Sequence, residues 1–323
     1  MALEGSTLFL DGAGYADDTL REVEAYSRLI AMAVVGVEEA VGRNITGGFA
    51  NLLAREIMAK YKPPGSSIKD ALEWLGRNTV FRVNTYRVQG KLCREEDEGK
   101  AFYLIAHECP VRQILYLEDL PAGGTLCRIM CSYLERLFAE RLGGRYRVRL
   151  VRSGPNACLL RGVVVSGNPP PDDVDVYTEP PSREEYVEQL RNMLSAILHG
   201  LSRALYLTLG SNPAMSYRAG KSYGRRLGAM ILAEGYEAQN LEEAVEILNE
   251  GLQGMVKTRL EGDRLVLEWS WFHDIVEREG LQHPEFIYRL VQGFIAGVLE
   301  MLVGRRIELR STQEHNVYAV MQL

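Results

Sequence analysis

The chain has no surplus of positive charge: 43 Asp and Glu stand against 37 Lys and Arg, a net charge of −6 at pH 7. That balance argues against a general nucleic-acid binder, which needs a basic face for phosphates. An apolar run of the ~18–20 residues that a membrane span requires is also missing. Leu29–Val37 is apolar, but Glu38-Glu39 closes it. Met1–Asp11 has no basic start followed by a long apolar stretch, so a secretory signal is not expected. Cysteine is scarce and lopsided. All five (Cys93, Cys109, Cys127, Cys131 and Cys158) lie in the first half, none in CxxC spacing. An odd count without paired spacing suits a reducing cytoplasm better than a disulfide framework. Phosphate-loop signatures are absent as well. Thr46-Gly47-Gly48 and Ala122-Gly123-Gly124-Thr125 lack both a Walker lysine and GxGxxG spacing; Ala219-Gly220-Lys221-Ser222 lacks the upstream glycine and falls inside a helical pattern. His273-Asp274, Glu234, Glu237 and His315 form no nucleophile–base arrangement, and most read as surface groups.

What is present is a duplication. Hydrophobic residues make up 46% of the 323 and charged residues 25%, enough for two cores. Helical spacing covers Leu20–Val41, a break falls at Val41-Gly42-Arg43-Asn44, and Gly48–Lys60 resumes. The second half repeats this with Arg183–Leu209, a break at Leu209–Pro213, and Ser216–Ala233. Short amphipathic helices follow at Asp70–Leu75 and Glu243–Leu248, with Ser67 and Asn240 as N-caps. Strands are expected at Thr79–Val88 and Ala101–His107, and at Gly254–Leu260 and Arg264–Trp269. A tight Glu261-Gly262-Asp263 turn joins the second pair, and a long polar tip, Gln89–Lys100, joins the first. Apolar helices Pro121–Leu142 and Pro284–Leu302 end in glycine, and two closing strands complete each half: Tyr146–Val151 with Cys158–Val165, and Ile307–Arg310 with Val317–Gln322. Asn156 and Asn316 stand 160 residues apart. The reading is α+β, two tandem modules, each an antiparallel sheet covered by helices: 1–166, a proline-rich linker 167–182, and 183–323.

Tyr288–Glu300 (YRLVQGFIAGVLE) resembles the glycine-containing helix of the 4-vinyl-reductase-type, or hydrocarbon-binding, domain. His107-Glu108-Cys109-Pro110 resembles that family's strand-end Cys-Pro, and Gly154–Cys158 its closing turn. The resemblance covers each repeat. It implies an apolar pocket between helices and sheet, and a distant similarity to TRAPP-type vesicle-tethering subunits, which use the fold to pair with each other. It also implies zinc bound through cysteines in some members; this chain lacks the closely spaced late cysteine pair of that pattern.

Three functions follow as expectations. The first is non-catalytic binding or sensing of a small apolar molecule, with the signal passed to a protein partner. The second is a scaffold whose fused modules act as a pseudo-dimer or homo-oligomer. The third is a metal-dependent reductase. The apolar ligand pocket would draw on Met130, Tyr133, Leu134 and Phe138 in the first half and Trp269, Leu290 and Phe294 in the second. Gly293 and Gly297 admit two readings, a close helix contact or room for a ligand. A zinc site would use His107, Cys109 and Cys158. The alternative is that the cysteines are small buried hydrophobes. At an offset of 160, Cys109, Cys127, Cys131 and Cys158 align with Trp269, Ile287, Val291 and Tyr318, which supports burial. Arg145, Arg147 and Arg149 alternate on one strand face with Tyr146, Val148 and Leu150 inward. They read as a solvated face or a seat for an acidic partner, with a phosphate ligand or nucleic acid as the lesser alternatives; the second half breaks the stripe with Ile307, Glu308 and Leu309.

Overall fold

A computed structural model describes residues 17–86, 101–154, 156–170, 174–175, 181–210, 212–252, 255–312 and 316–322. The tip at Gln89–Lys100, His315, Cys93, Pro155 and the linker prolines Pro171 and Pro180 lie outside the described residues. The first repeat runs α1 (Asp17–Val41), α2 (Arg43–Lys60), α3 (Ile68–Asn78), β1 (Arg82–Tyr86), β2 (Ala101–Glu108), α4 (Pro110–Leu117), α5 (Thr125–Leu142), β3 (Arg145–Ser153), β4 (Cys158–Ser166). The second repeats that order with α6 (Arg183–Leu209), α7 (Ala214–Ala233), α8 (Leu241–Gly251), β5 (Val256–Glu261), β6 (Arg264–Ser270), α9 (Trp271–Glu279), α10 (Pro284–Val303), β7 (Ile307–Ser311), β8 (Val317–Gln322). The sheets have the same strand order, β1-β2-β4-β3 and β5-β6-β8-β7, and every pairing is antiparallel. The protein is therefore α+β with two sheet-and-helix modules.

The caps act as the sequence requires. Ser67 and Asn240 accept from the Asp70 and Glu243 N–H groups. Each supplies one acceptor that the first helical turn lacks. Two short helices, α4 and α9, add to the elements that the sequence pattern predicts. Each begins where a sheet strand ends in an extended residue, Cys109 or Ser270.

Two compact units form, and they do not coincide with the repeats. Unit 1 comprises Met1–Val23 and Gly47–Gly200; unit 2 comprises Glu24–Thr46 and Leu201–Leu323. This differs from the division 1–166, 167–182 and 183–323. The reason lies in α1 and α6, 25 and 27 residues long, whose two ends belong to different cores. In unit 1 the start of α6 buries Tyr186, Val187, Leu190 and Met193, and Gln113 Nε2 donates to the Tyr186 hydroxyl at 2.9 Å. In unit 2 the body of α1 buries Leu29, Ile30, Met32 and Val34, its Gly36 lies against the Ala219 carbonyl, and the Tyr26 hydroxyl donates to Glu279. The linker is held to unit 1: Val174 exchanges two backbone hydrogen bonds with Thr85, and Asn84 Nδ2 donates to Asp175 at 2.6 Å.

The core of unit 1 sits between α5 and its sheet. The Phe138 ring lies 5.2 Å from Phe102 and 5.8 Å from Tyr146. Phe102 lies across from Gly162 in the register, and a Cβ there would strike the ring, so the glycine makes the seat.

Unit 2 is organised by a glycine seam. Gly220, Gly224 and Gly228 of α7 face Gly293 and Gly297 of α10, one turn apart on each helix. A Cβ on Gly224 would overlap the Phe294 carbonyl and lie 3.1 Å from Gly297 Cα; one on Gly293 would overlap the Tyr217 carbonyl. The two backbones touch, so these glycines make a close helix contact and leave no room for a ligand. By length and composition α10 is apolar enough to cross a membrane, contrary to the expectation that such a run is missing; 72% of its most apolar window is buried inside the protein.

Candidate functional site

One outer strand of each sheet, β3 in unit 1 and β7 in unit 2, has backbone groups with no strand partner, and helix side chains cover them. In unit 1, Arg128 donates to the Val148 carbonyl at 3.0 Å and Glu135 accepts from the Val148 N–H at 2.8 Å. In unit 2, Lys221 Nζ donates to the Ile307 carbonyl at 2.6 Å and Glu300 accepts from the Ile307 N–H at 3.1 Å. One pleat on, the Tyr217 hydroxyl accepts from the Leu309 N–H at 3.0 Å and Gln292 donates to the Leu309 carbonyl at 2.9 Å. Such cover protects an edge from pairing with another chain and satisfies buried groups.

Beside this covered edge in unit 2 lies an open cleft of about 940 Å³. Helix α7 supplies Tyr217, Arg218, Lys221, Ser222 and Arg225, which share one face by their spacing. Arg289 of α10, Arg306, Glu308 and Arg310 at β7, Ala40 of α1 and Met321 of β8 complete much of the wall, and Pro213-Ala214 places the α7 N-terminus at its rim. Six cationic side chains and one carboxylate line it. Three of the six cations are engaged by carboxylates. Lys221 bonds Glu300 at 2.8 Å and Glu308 at 2.9 Å, Arg225 Nε bonds Glu300 at 2.6 Å, and Arg306 bonds Glu308 at 3.4 Å. Burial pushes the Glu300 and Glu308 carboxyls up, but hydrogen bonds, that of Lys221 foremost, outweigh it and hold both below the usual range. Burial pushes the Tyr217 phenol above its usual range. Arg218, Arg289 and Arg310 have no carboxylate partner among the described residues. Arg289 donates to Gln292 Oε1 at 2.7 Å, Arg218 meets only the Met215 sulfur at 4.0 Å, and Arg310 is exposed.

Unit 1 has a smaller cleft, about 440 Å³, between α5 and β3, the counterparts of α10 and β7. The two C-capping glycines, Gly143 and Gly304, stand 161 residues apart, and the buried strand pairs Tyr146/Val148 and Ile307/Leu309 keep that offset. The offset of 160 was one residue short. Corrected, Arg145, Arg147 and Arg149 align with Arg306, Glu308 and Arg310, and Arg128 aligns with Arg289. The arginine stripe is thus kept at two of three positions, and the repeated cleft carries an arginine at the helix and another at the strand in both units. Cys109, Cys127 and Cys131 align with Ser270, Tyr288 and Gln292, so apolar replacement is not what the second repeat records.

The residues expected to form an apolar pocket are mostly packed core. Met130 is 4% exposed, and Tyr133, Leu134, Phe138, Leu290 and Phe294 are fully buried. The Tyr133 hydroxyl donates to the Tyr61 carbonyl at 2.9 Å, and Phe294 meets Tyr223 and Phe272. Trp269 is not with them: it is 38% exposed and sits against Trp271, beyond a bulge in the β5–β6 register.

Of the three zinc candidates, Cys109 and Cys158 are near enough to interact electrostatically, but His107 is not with them. Cys158 faces Ala106 across the β2–β4 register, on the buried side, while His107, the next residue, is exposed on the other. Cys109 is buried at the start of α4. No three ligating groups converge among the described residues. Burial pushes the Cys109 and Cys131 thiols up to about 12 and raises Cys127, with nearby cysteines adding to the rise. Burial of this kind disfavours the thiolate that a metal or an electrophile requires.

The fold and these clefts define a two-module α+β protein with basic recesses beside its outer strands. Compared with known proteins, the chain matches no family model, no curated protein and no solved structure. Sequence reasoning missed the cleft residues because they come from α1, α7, α10 and β7; the one-face spacing of Arg218, Lys221 and Arg225 was the legible part of the signal.

Proposed function

We propose that the chain is a non-catalytic protein that binds a small molecule in the cleft of unit 2. The observation that carries this reading is the cleft itself, within the ~300–1,000 Å³ of small-molecule sites and beside a well-packed core. Its groups suit binding more than chemistry: Lys221 is engaged by two carboxylates and the Tyr217 hydroxyl accepts from the Leu309 N–H. The apolar ligand implied by the 4-vinyl-reductase resemblance would need space where Leu290, Phe294 and the glycine seam are packed, so the geometry favours the cleft. A cytoplasmic setting with a protein partner to carry the signal belongs to the same reading. A thermal-shift panel of hydrocarbons, phenols and phosphorylated metabolites tests it. A saturable shift with one class is expected; no shift with any class refutes it.

A second reading is an assembly role, in which the fused repeats act as a pseudo-dimer of the TRAPP type. It is favoured by one observation, that each compact unit contains helical segments of both repeats. Fusion of two former subunits accounts for such sharing.

A further inference from the structure

We infer that the unit 2 cleft is a site for a small molecule bearing phosphate groups, with Arg218, Arg289 and Arg310 as its anchors. The inference rests on the proposal that the cleft is the ligand site and adds the ligand's class.

Three observations converge on it. First, the cleft's charge is only partly neutralised. Glu300 and Glu308 engage Lys221, Arg225 and Arg306, while Arg218, Arg289 and Arg310 keep guanidinium groups with no carboxylate partner among the described residues. Planar guanidinium groups bind phosphate through paired N–H donors. Second, α7 is a 20-residue helix whose N-terminus, at Pro213-Ala214, lines the cleft. Its first-turn N–H groups and dipole favour negative charge at that end. Third, the corresponding cleft of unit 1 keeps arginine at the matching helix and strand positions, Arg128 and Arg149, although the repeats have diverged around them. There Arg128 is engaged by Glu135 and by the Val148 carbonyl. The cleft of unit 2 is larger and holds more guanidinium groups without a carboxylate partner, so it is the site assigned.

The volume accommodates a nucleotide-sized or smaller molecule. A protein tail rich in Asp and Glu would meet the same arginines but is a different class of partner; a cleft bounded by one helix face, one strand and a helix N-terminus suits a compact anion better.

The test is calorimetric titration of the full chain at fixed ionic strength with three probes: inorganic pyrophosphate, a nucleoside triphosphate and an oligoglutamate peptide. Arg218→Gln and Arg310→Gln are the variants, singly and together. Both side chains are exposed and make no bond that folding needs, and circular dichroism checks that the fold is kept. Saturable binding of pyrophosphate or the nucleotide, weakened tenfold or more in each single variant and lost in the double, is the expected result. Tighter binding of the nucleotide points to an organic phosphate, and equal binding to the phosphate group alone. Saturable binding of the peptide only, or phosphate binding that both substitutions leave unchanged, overturns the inference. A neutral apolar compound that shifts the melting temperature while no anion binds overturns the phosphate assignment and leaves the small-molecule reading standing. No response to any compound removes both.

Discussion

Replacing Gly297 with alanine adds one methyl group where α10 meets α7, and two opposing effects follow. In a helix interior alanine is favoured over glycine by about 0.8–1.0 kcal/mol. Against this, the new Cβ would overlap the Lys221 carbonyl and lie 2.9 Å from the Arg225 nitrogen. Both are backbone atoms of a helix, so no side chain can turn away, and the helices must separate along the seam formed with Gly220, Gly224 and Gly228. Overpacking of this kind costs about 1–3 kcal/mol, toward the upper end where backbone must move. The net expectation is a loss of about 1–2 kcal/mol, or roughly 2–8 °C in the melting temperature. Gly48 provides the control. It lies within α2, and a Cβ there has nothing within 4 Å, so Gly48→Ala gains up to about 1 kcal/mol from helix propensity. Scanning calorimetry of the wild type and the two variants reads both signs. If Gly297→Ala raises the melting temperature as Gly48→Ala does, the seam is not packed and the argument that excludes a ligand there is wrong.

Other consequences can be measured as directly. Because each unit draws segments from both repeats, fragments 1–182 and 183–323 are expected to aggregate or stay unfolded alone and to form a folded complex when co-expressed; two independently folded fragments would contradict the assignment of units. Glu300 and Glu308 have folded pKa values below the unfolded one, so their contribution is full above about pH 4.5 and is lost as pH falls through the folded values. Unit 2 should therefore weaken in acid, Glu300→Gln should flatten that dependence, and Lys221→Met should cost about 1–3 kcal/mol at pH 7, because the Ile307 carbonyl loses its donor while Arg225 and Arg306 still hold the carboxylates; an acid profile unchanged by Glu300→Gln would refute the coupling. Buried, protonated Cys109 and Cys131 should resist alkylation at pH 7.5 until the protein unfolds, and elemental analysis should find no stoichiometric zinc. Zinc that disappears in Cys109→Ser would overturn the reading of the cysteines.

Features set by a few neighbouring residues were legible in the sequence. Arg183–Leu209 is bounded by helix-breaking Gly210 and Pro213, and the caps Ser67 and Asn240 announce α3 and α8. Helices α4 and α9 escaped because eight or nine residues give barely two turns of periodicity, although Pro110 at the start of one and the left-handed Gly280 at the end of the other were usable signals. The repeat offset was misjudged by one because Asn156 and Asn316 belong to turns of unequal length, whereas the helix-capping glycines preserve the true spacing. In a strand a one-residue slip exchanges the two faces, and that slip hid the repeated arginines. The sharing of α1 and α6 between cores could not be read locally, since it depends on which apolar stretch of each helix meets which sheet.

The most direct test of the cleft is a crystal soaked with tungstate, a heavy phosphate mimic, and examined for anomalous scattering. A peak among Arg218, Arg289 and Arg310 that is absent from the Arg218→Gln, Arg310→Gln double variant is the predicted result. A crystal with no peak in this cleft, or a peak that survives both substitutions, would contradict it.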